Sequence, residues 1–250
     1  MPNPPKFSIV TCTWNSAATL ADTLASIRAQ TCQDLEHIFV DGGSTDGTLD
    51  MLDAYPGNKV VLSNIKGGIS RAMNEGIAAA GGEFIAHLHS DDYYARADVL
   101  ATVASHLAAS GRDWMFGTIA VLKEGTLIAP FPMHPFTYFA LASGRAFIAH
   151  PAVFVRKSLF ARAGLFDEQL RYAMDIDLWL RLAKLSEPAT LDRPLAVFRD
   201  HAGSVSSANR IKAREEEFRV RRRHAGKAPI AFGIYCLRYW KRMRALRRQR

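Results

Sequence analysis

Short apolar runs of strand type alternate with amphipathic stretches of helical period along the first half of the chain. Phe7-Ser8-Ile9-Val10-Thr11 is a β-rich run, and between Ser16 and Gln30 the apolar residues Leu20, Leu24 and Ile27 recur at helical spacing. The pattern then repeats. Strands are predicted over Glu36–Val40, Lys59–Leu62 and Glu83–Leu88, with helices over Thr48–Tyr55 and Ile69–Ala80 between them. Such alternation predicts an α/β fold, a mostly parallel sheet flanked by helices.

After Asp92 the pattern loosens. A helix is expected over Asp98–Ala109, a strand over Trp114–Leu122, a strand at Ala152–Val155, and helices over Lys157–Ala163 and Ile176–Leu185. Ala129 to His150, rich in Pro, Phe and Gly, is expected to be irregular. With 250 residues, 48% of them hydrophobic, the chain can bury one large core. No stretch reaches the roughly 20 apolar residues of a spanning helix, and Met1 to Lys6 has no apolar signal region, so a cytoplasmic location is expected. Cys12, Cys32 and Cys236 are too far apart for a zinc site and odd in number, against a disulfide framework.

Charge divides the chain. Residues 210–250 hold 15 Lys and Arg against 3 Glu, which leaves residues 1–209 at a net −4 although the whole chain is +8. A body spanning 1–209 and a basic tail spanning 210–250 are therefore expected, and the acidic body argues against a nucleic-acid partner.

Candidate chemistry sits at predicted strand ends. His89-Ser90-Asp91-Asp92 closes a buried-strand pattern, and paired carboxylates there suit a divalent metal and a diphosphate. Asp41 to Thr48 follows the second strand: its glycines, Gly43 among them, permit close backbone approach, Asp46 or Thr48 can cap the next helix, and Asp41 can accept from a base N–H. Lys66-Gly67-Gly68 leads into a helix beside Arg71, a setting that suits a diphosphate. Neither loop has Gly-x-Gly-x-x-Gly or Walker spacing, which disfavours a dinucleotide cofactor or ATP hydrolysis.

Five segments in order resemble the inverting nucleotide-sugar glycosyltransferases of family 2: Ser8–Thr11 with Asn15, Val40–Thr48, Ala72–Ile77, Leu88–Asp92 and Asp175–Leu182. The resemblance covers roughly residues 7 to 205 and implies a GT-A, Rossmann-like fold of non-processive type. It implies that Thr11, Asn15 and Asp41 contact the nucleoside, uridine or another, and that Asp91 meets the ribose and a Mn or Mg ion. Asp92 would hold the same ion, with His201 as a further ligand, and Asp175 would be the general base. The family often has Glu just before that Asp; here Met174 stands there, and Asp177 follows two residues on. His89 stands where an acid is common. The expected acceptor is a saccharide or lipid-linked saccharide.

In the tail, aromatic residues beside clustered cations between Ile230 and Arg250 predict an amphipathic helix on an anionic membrane, peripheral to its inner face. Two other readings of the chain are a nucleotidyltransferase and a non-catalytic adaptor driven by the tail. The first calls for a glycine-rich loop with Arg or Lys after the first strand, where this chain has Thr13-Trp14-Asn15.

Overall fold

The computed structural model describes residues 4–129, 133, 135–200 and 209–248. Its centre is a sheet that begins as the alternation predicts. β1 (Phe7–Thr13), β2 (Leu35–Asp41), β3 (Lys59–Leu62) and β4 (Phe84–His87) pair in parallel in the order β3-β2-β1-β4. Every residue of β1 and β4 is buried, as expected for strands covered on both faces. The crossovers are α1 (Ala17–Arg28), α2 (Thr48–Ala54) and α3 (Ile69–Ala79).

The second half of the sheet is mixed. β8 (Val153–Arg156) runs antiparallel to β4 and to β6 (Trp114–Lys123), and β9 (Ala189–Asp200) lies parallel to β6. The two-residue β5 (Tyr93–Tyr94) closes the order beyond β9, and β7 (Thr126–Ile128) forms a hairpin with β6. β9 lacks an expected counterpart in the sequence pattern. Pro194 interrupts it, and the register with β6 shifts around Gly117 and Thr118. A Pro within an apolar run obscures a strand because it removes a ladder donor.

Helices cover both faces of the sheet. α4 (Val99–Ser110) sends Val99, Leu100, Val103 and Leu107 into one apolar cluster with Phe7, Phe84 and Phe154. On the other face, α3, α6 (Lys157–Ala163) and α7 (Met174–Leu185) pack around Trp114, Trp179 and Val10. α3 lies so close to β1 that a Cβ on Gly76 would sit 2.4 Å from Val10 Cγ1, so only glycine fits there. A short α5 (Tyr138–Ala142) stands inside the segment expected to be irregular.

The tail is helical, as α8 (Arg210–His224) and α9 (Pro229–Arg248). α8 lies against α7 and is tied to the body by buried charges. The Arg221 guanidinium donates to the carbonyls of Leu141 and Ala142 and pairs with Glu217 at 2.8 Å. No described helix is long and apolar enough to cross a membrane.

Candidate active site

Three parallel strands end at one edge, and the loops that follow them are laced together by short polar bonds. Asn15 N–H donates to Ser44 Oγ at 2.8 Å, and Asn15 Oδ1 accepts from Thr45 N–H at 2.9 Å. Ser16 N–H donates to Thr48 Oγ1 and Ser90 Oγ donates to Ser16 Oγ, each at 2.8 Å. The loops after β1, β2 and β4 thus form one rim. Asp46 serves two helices, accepting Ala17 N–H at the start of α1 and Thr48 N–H at the start of α2, although the cap position of α2 itself falls to Gly47.

Asp41 shapes this rim from below. It is fully buried, with Oδ1 accepting from Gly43 and Ser44 N–H and Oδ2 from the hydroxyls of Thr13 and Ser44. Burial raises its pKa, but those bonds outweigh burial and hold the carboxyl below its ordinary value. Both oxygens accept bonds within the loop. Thr11 is committed in the same way: it is buried, donates to Leu88 carbonyl at 2.7 Å and bonds His37 at 2.8 Å.

Among the residues expected to meet the donor, Asn15, Lys66, Gly67 and Arg71 are exposed on the rim. Lys66 Nζ folds over the glycine turn and donates to Gly42 carbonyl at 2.6 Å. A side chain on Gly43, whose φ is +94°, would strike that ammonium. Arg71 is half-paired with Glu75 at 3.8 Å. Trp14, to which pattern reading assigned no role, is 70% exposed between Thr13 and Asn15 and packs beside Gly42. Its signal was the large aromatic itself, at a strand end where burial was not possible.

Asp91 is part-buried, whereas Asp92 is only 3% exposed. Burial, reinforced by the charge of Asp91, raises the Asp92 pKa well above the carboxylate range, against a hydrogen bond from Arg199 N–H at 3.1 Å. Arg199 comes from β9, far off in sequence; its Nε donates to Asp91 carbonyl at 3.2 Å and its Nη2 to Asp22 at 2.6 Å. A desolvated acid beside a second acid is a donor set that a hard divalent cation would relieve, so the residues fit Mn2+ or Mg2+. Among the described residues no group of three acids, histidines or cysteines is gathered to hold a metal. Two protein carboxylates with the remaining ligands from phosphate and water is the usual arrangement for Mg2+. His201 lies outside the described residues.

Asp175 stands in the first turn of α7. Trp179, four residues on, shares its helix face and places its ring 5.6 Å from His150, whose ring stacks on His89 at 5.2 Å. A line of rings therefore joins the Asp175 helix to the strand end that carries Asp91. His87 and His150 are out of water with Nε2 unpartnered among the described residues. Burial lowers the pKa of His87 to about 3 and those of His89 and His150 below the usual imidazole value, so this layer is neutral. Burial raises Asp175 to about 6, the charge of Glu217 adding to it, while Ile176 N–H and Arg221 act the other way.

The turn before α7 is held from two sides. Ser70 Oγ donates to Leu170 carbonyl at 3.1 Å, and Glu216 Oε1, from α8, accepts the N–H groups of Arg171, Tyr172 and Ala173 at 2.9, 2.6 and 2.9 Å. Asp177 is engaged too, bonded to His224 at 2.9 Å and Arg181 at 2.8 Å.

An α/β sheet with glycine turns and an acid pair at one edge, and a helix-borne carboxylate linked to that edge, has the GT-A architecture. The chain belongs to glycosyl transferase family 2, which matches residues 8–162. It is 33% identical over 203 residues to the uncharacterized glycosyltransferase Rv1514c of Mycobacterium tuberculosis H37Rv, covering 79% of this chain and 76% of that one. It is 32% identical over 199 residues to a PGL/p-HBAD biosynthesis glycosyltransferase of Mycobacterium bovis BCG, covering 77% and 75%. The fold is similar to that of Staphylococcus aureus TarS 1–349 in complex with UDP-GlcNAc, with a TM-score of 0.73 and 22% identity over 86% of this chain and 65% of that one. It is also similar to the mannosyltransferase PcManGT of Pyrobaculum calidifontis in complex with GDP-Man and Mn2+, with a TM-score of 0.65 and 17% identity over 94% and 74%.

Proposed function

We propose that the protein moves a single sugar from a nucleoside-diphosphate donor, uridine-linked, to a hydroxyl of a saccharide or lipid-linked saccharide, with inversion at the anomeric carbon. The observation that carries this reading is the line of rings between the Asp175 helix and the Asp91-Asp92 corner. That line links the helix bearing a carboxyl of raised pKa to a corner suited to a diphosphate.

Trp14 offers its indole face to the base, and Asn15 flanks the nucleoside. Gly43 and Gly67 let the diphosphate approach the backbone, with Lys66 and Arg71 supplying positive charge. Asp91 and Asp92 would hold Mn2+ or Mg2+, whose charge would neutralise the negative charge developing on the diphosphate. The acceptor oxygen attacks the anomeric carbon from the face opposite the diphosphate. The bond from that carbon to the diphosphate oxygen breaks, the electron pair leaves with the nucleoside diphosphate, and Asp175 takes the hydroxyl proton. A carboxyl with a pKa of about 6 is a stronger base than an ordinary one and remains ionised at neutral pH.

A panel of UDP-, GDP- and dTDP-sugars with Mn2+ tests the reading by release of nucleoside diphosphate. One donor should stand out, and its turnover should vanish in Asp91→Ala. Release from no donor in the panel, with no thermal shift by any nucleotide, would contradict it.

A further inference from the structure

Helix α9 presents two opposite stripes to different surroundings. Ala231, Tyr235 and Met243 are buried, the Tyr239 ring lies 4.6 Å from Phe218 of α8, and the Arg221 guanidinium sits 4.7 Å over the Tyr235 ring. Those contacts seat α9 on α8. On the other side, at helical spacing, stand Ile230, Ile234, Leu237, Lys241, Arg244 and Arg248, with Trp240 at the flank. Ile230 and Leu237 are each 74% exposed and Trp240 is 56% exposed; Lys241, Arg244 and Arg248 are exposed as well. The sequence alone groups all the tail aromatics together, but the fold spends Tyr235 and Tyr239 on internal packing and leaves a narrower stripe outside.

We infer that this outward stripe of α9 docks on an anionic lipid surface, with the helix lying in the plane of the interface. Three observations select lipid over other occupants. The stripe combines bulky apolar side chains with cations, the composition that lies at a headgroup boundary. α9 contains no Asp or Glu, so a second copy of the chain would bring cation against cation. A nucleic-acid groove would satisfy the cations but leave Ile230 and Leu237 without an apolar contact. The inference goes beyond sugar transfer and does not depend on which donor is used.

Flotation of the full-length chain tests it, with vesicles of phosphatidylcholine alone or mixed with phosphatidylglycerol. The chain should float with the anionic vesicles, less so at high salt, and stay at the bottom with phosphatidylcholine alone. Lys241→Gln with Arg244→Gln should lower the vesicle partition coefficient roughly 30-fold, equivalent to about 1 kcal/mol per cation. Leu237→Ser with Trp240→Ser should also lower flotation with anionic vesicles, while circular dichroism and nucleotide-induced thermal shifts stay at wild-type values because neither pair faces the body. The inference is overturned if the wild type fails to float with anionic vesicles or if both double variants float as it does. It is equally overturned if the stripe proves to mediate dimers in sedimentation or to bind duplex DNA in place of vesicles.

Discussion

Three aspartates show how one side chain takes different tasks from its surroundings. Asp41 is ringed by donors and is an ionised strut; Asp92 is desolvated beside another acid; Asp175 is part-buried in the first turn of a helix with its pKa raised to about 6. Asp41→Ala would leave four donors without an acceptor and should cost about 2–4 kcal/mol in urea unfolding. Because its folded pKa is depressed, that contribution is present above the unfolded value near 4 and is lost as pH falls through the lower folded value. Trp14, being exposed, carries little stability. Trp14→Ala should leave the melting temperature within about 2 °C while weakening nucleotide binding roughly 10-fold by calorimetry, as loss of a stacked base does.

At the level of elements, the decisive contact is between helices distant in sequence. Glu216 of α8 gathers three consecutive N–H groups at the turn that launches α7, so α8 sets the position of Asp175. Glu216→Ala should lower kcat more than it raises KM and destabilise the fold by about 3 kcal/mol, whereas Glu216→Gln, which keeps an acceptor oxygen, should lose much less. Steady-state kinetics beside thermal melts check both. Nothing in the sequence announced this role, because Arg214-Glu215-Glu216-Glu217 reads as a solvated charge run and only the packing of α8 buries two of its acids. The parallel half of the sheet was legible because β1, β2 and β4 are short apolar runs broken by glycine turns. β9 was not, since Pro194 and a register shift break its pattern, and with it went Arg199, whose partners lie across the sheet. The acid pair and glycine turns were legible as local text. That Asp41 points inward was not, because burial depends on the neighbouring loop.

Over the whole molecule, the basic tail joins two surfaces. Its inner helix, α8, braces the turn before α7 through Glu216 and holds the end of α5 through Arg221, and its outer helix carries the cationic stripe. Residues 1–209 alone should therefore melt several degrees lower than the full chain and lose turnover even on a water-soluble acceptor, a result readable by calorimetry and assay side by side. The stripe variants of α9 should keep turnover on that soluble acceptor. The central claim, that Asp175 is the base for sugar transfer, is met most directly by the pH dependence of kcat for wild type and Asp175→Asn with the preferred donor. Wild-type kcat should be level at neutral pH and fall as pH drops below about 6, where the carboxyl protonates, and the variant should be at least roughly 100-fold slower with that limb gone. An Asp175→Asn enzyme that keeps wild-type kcat and the same acid limb would contradict the account.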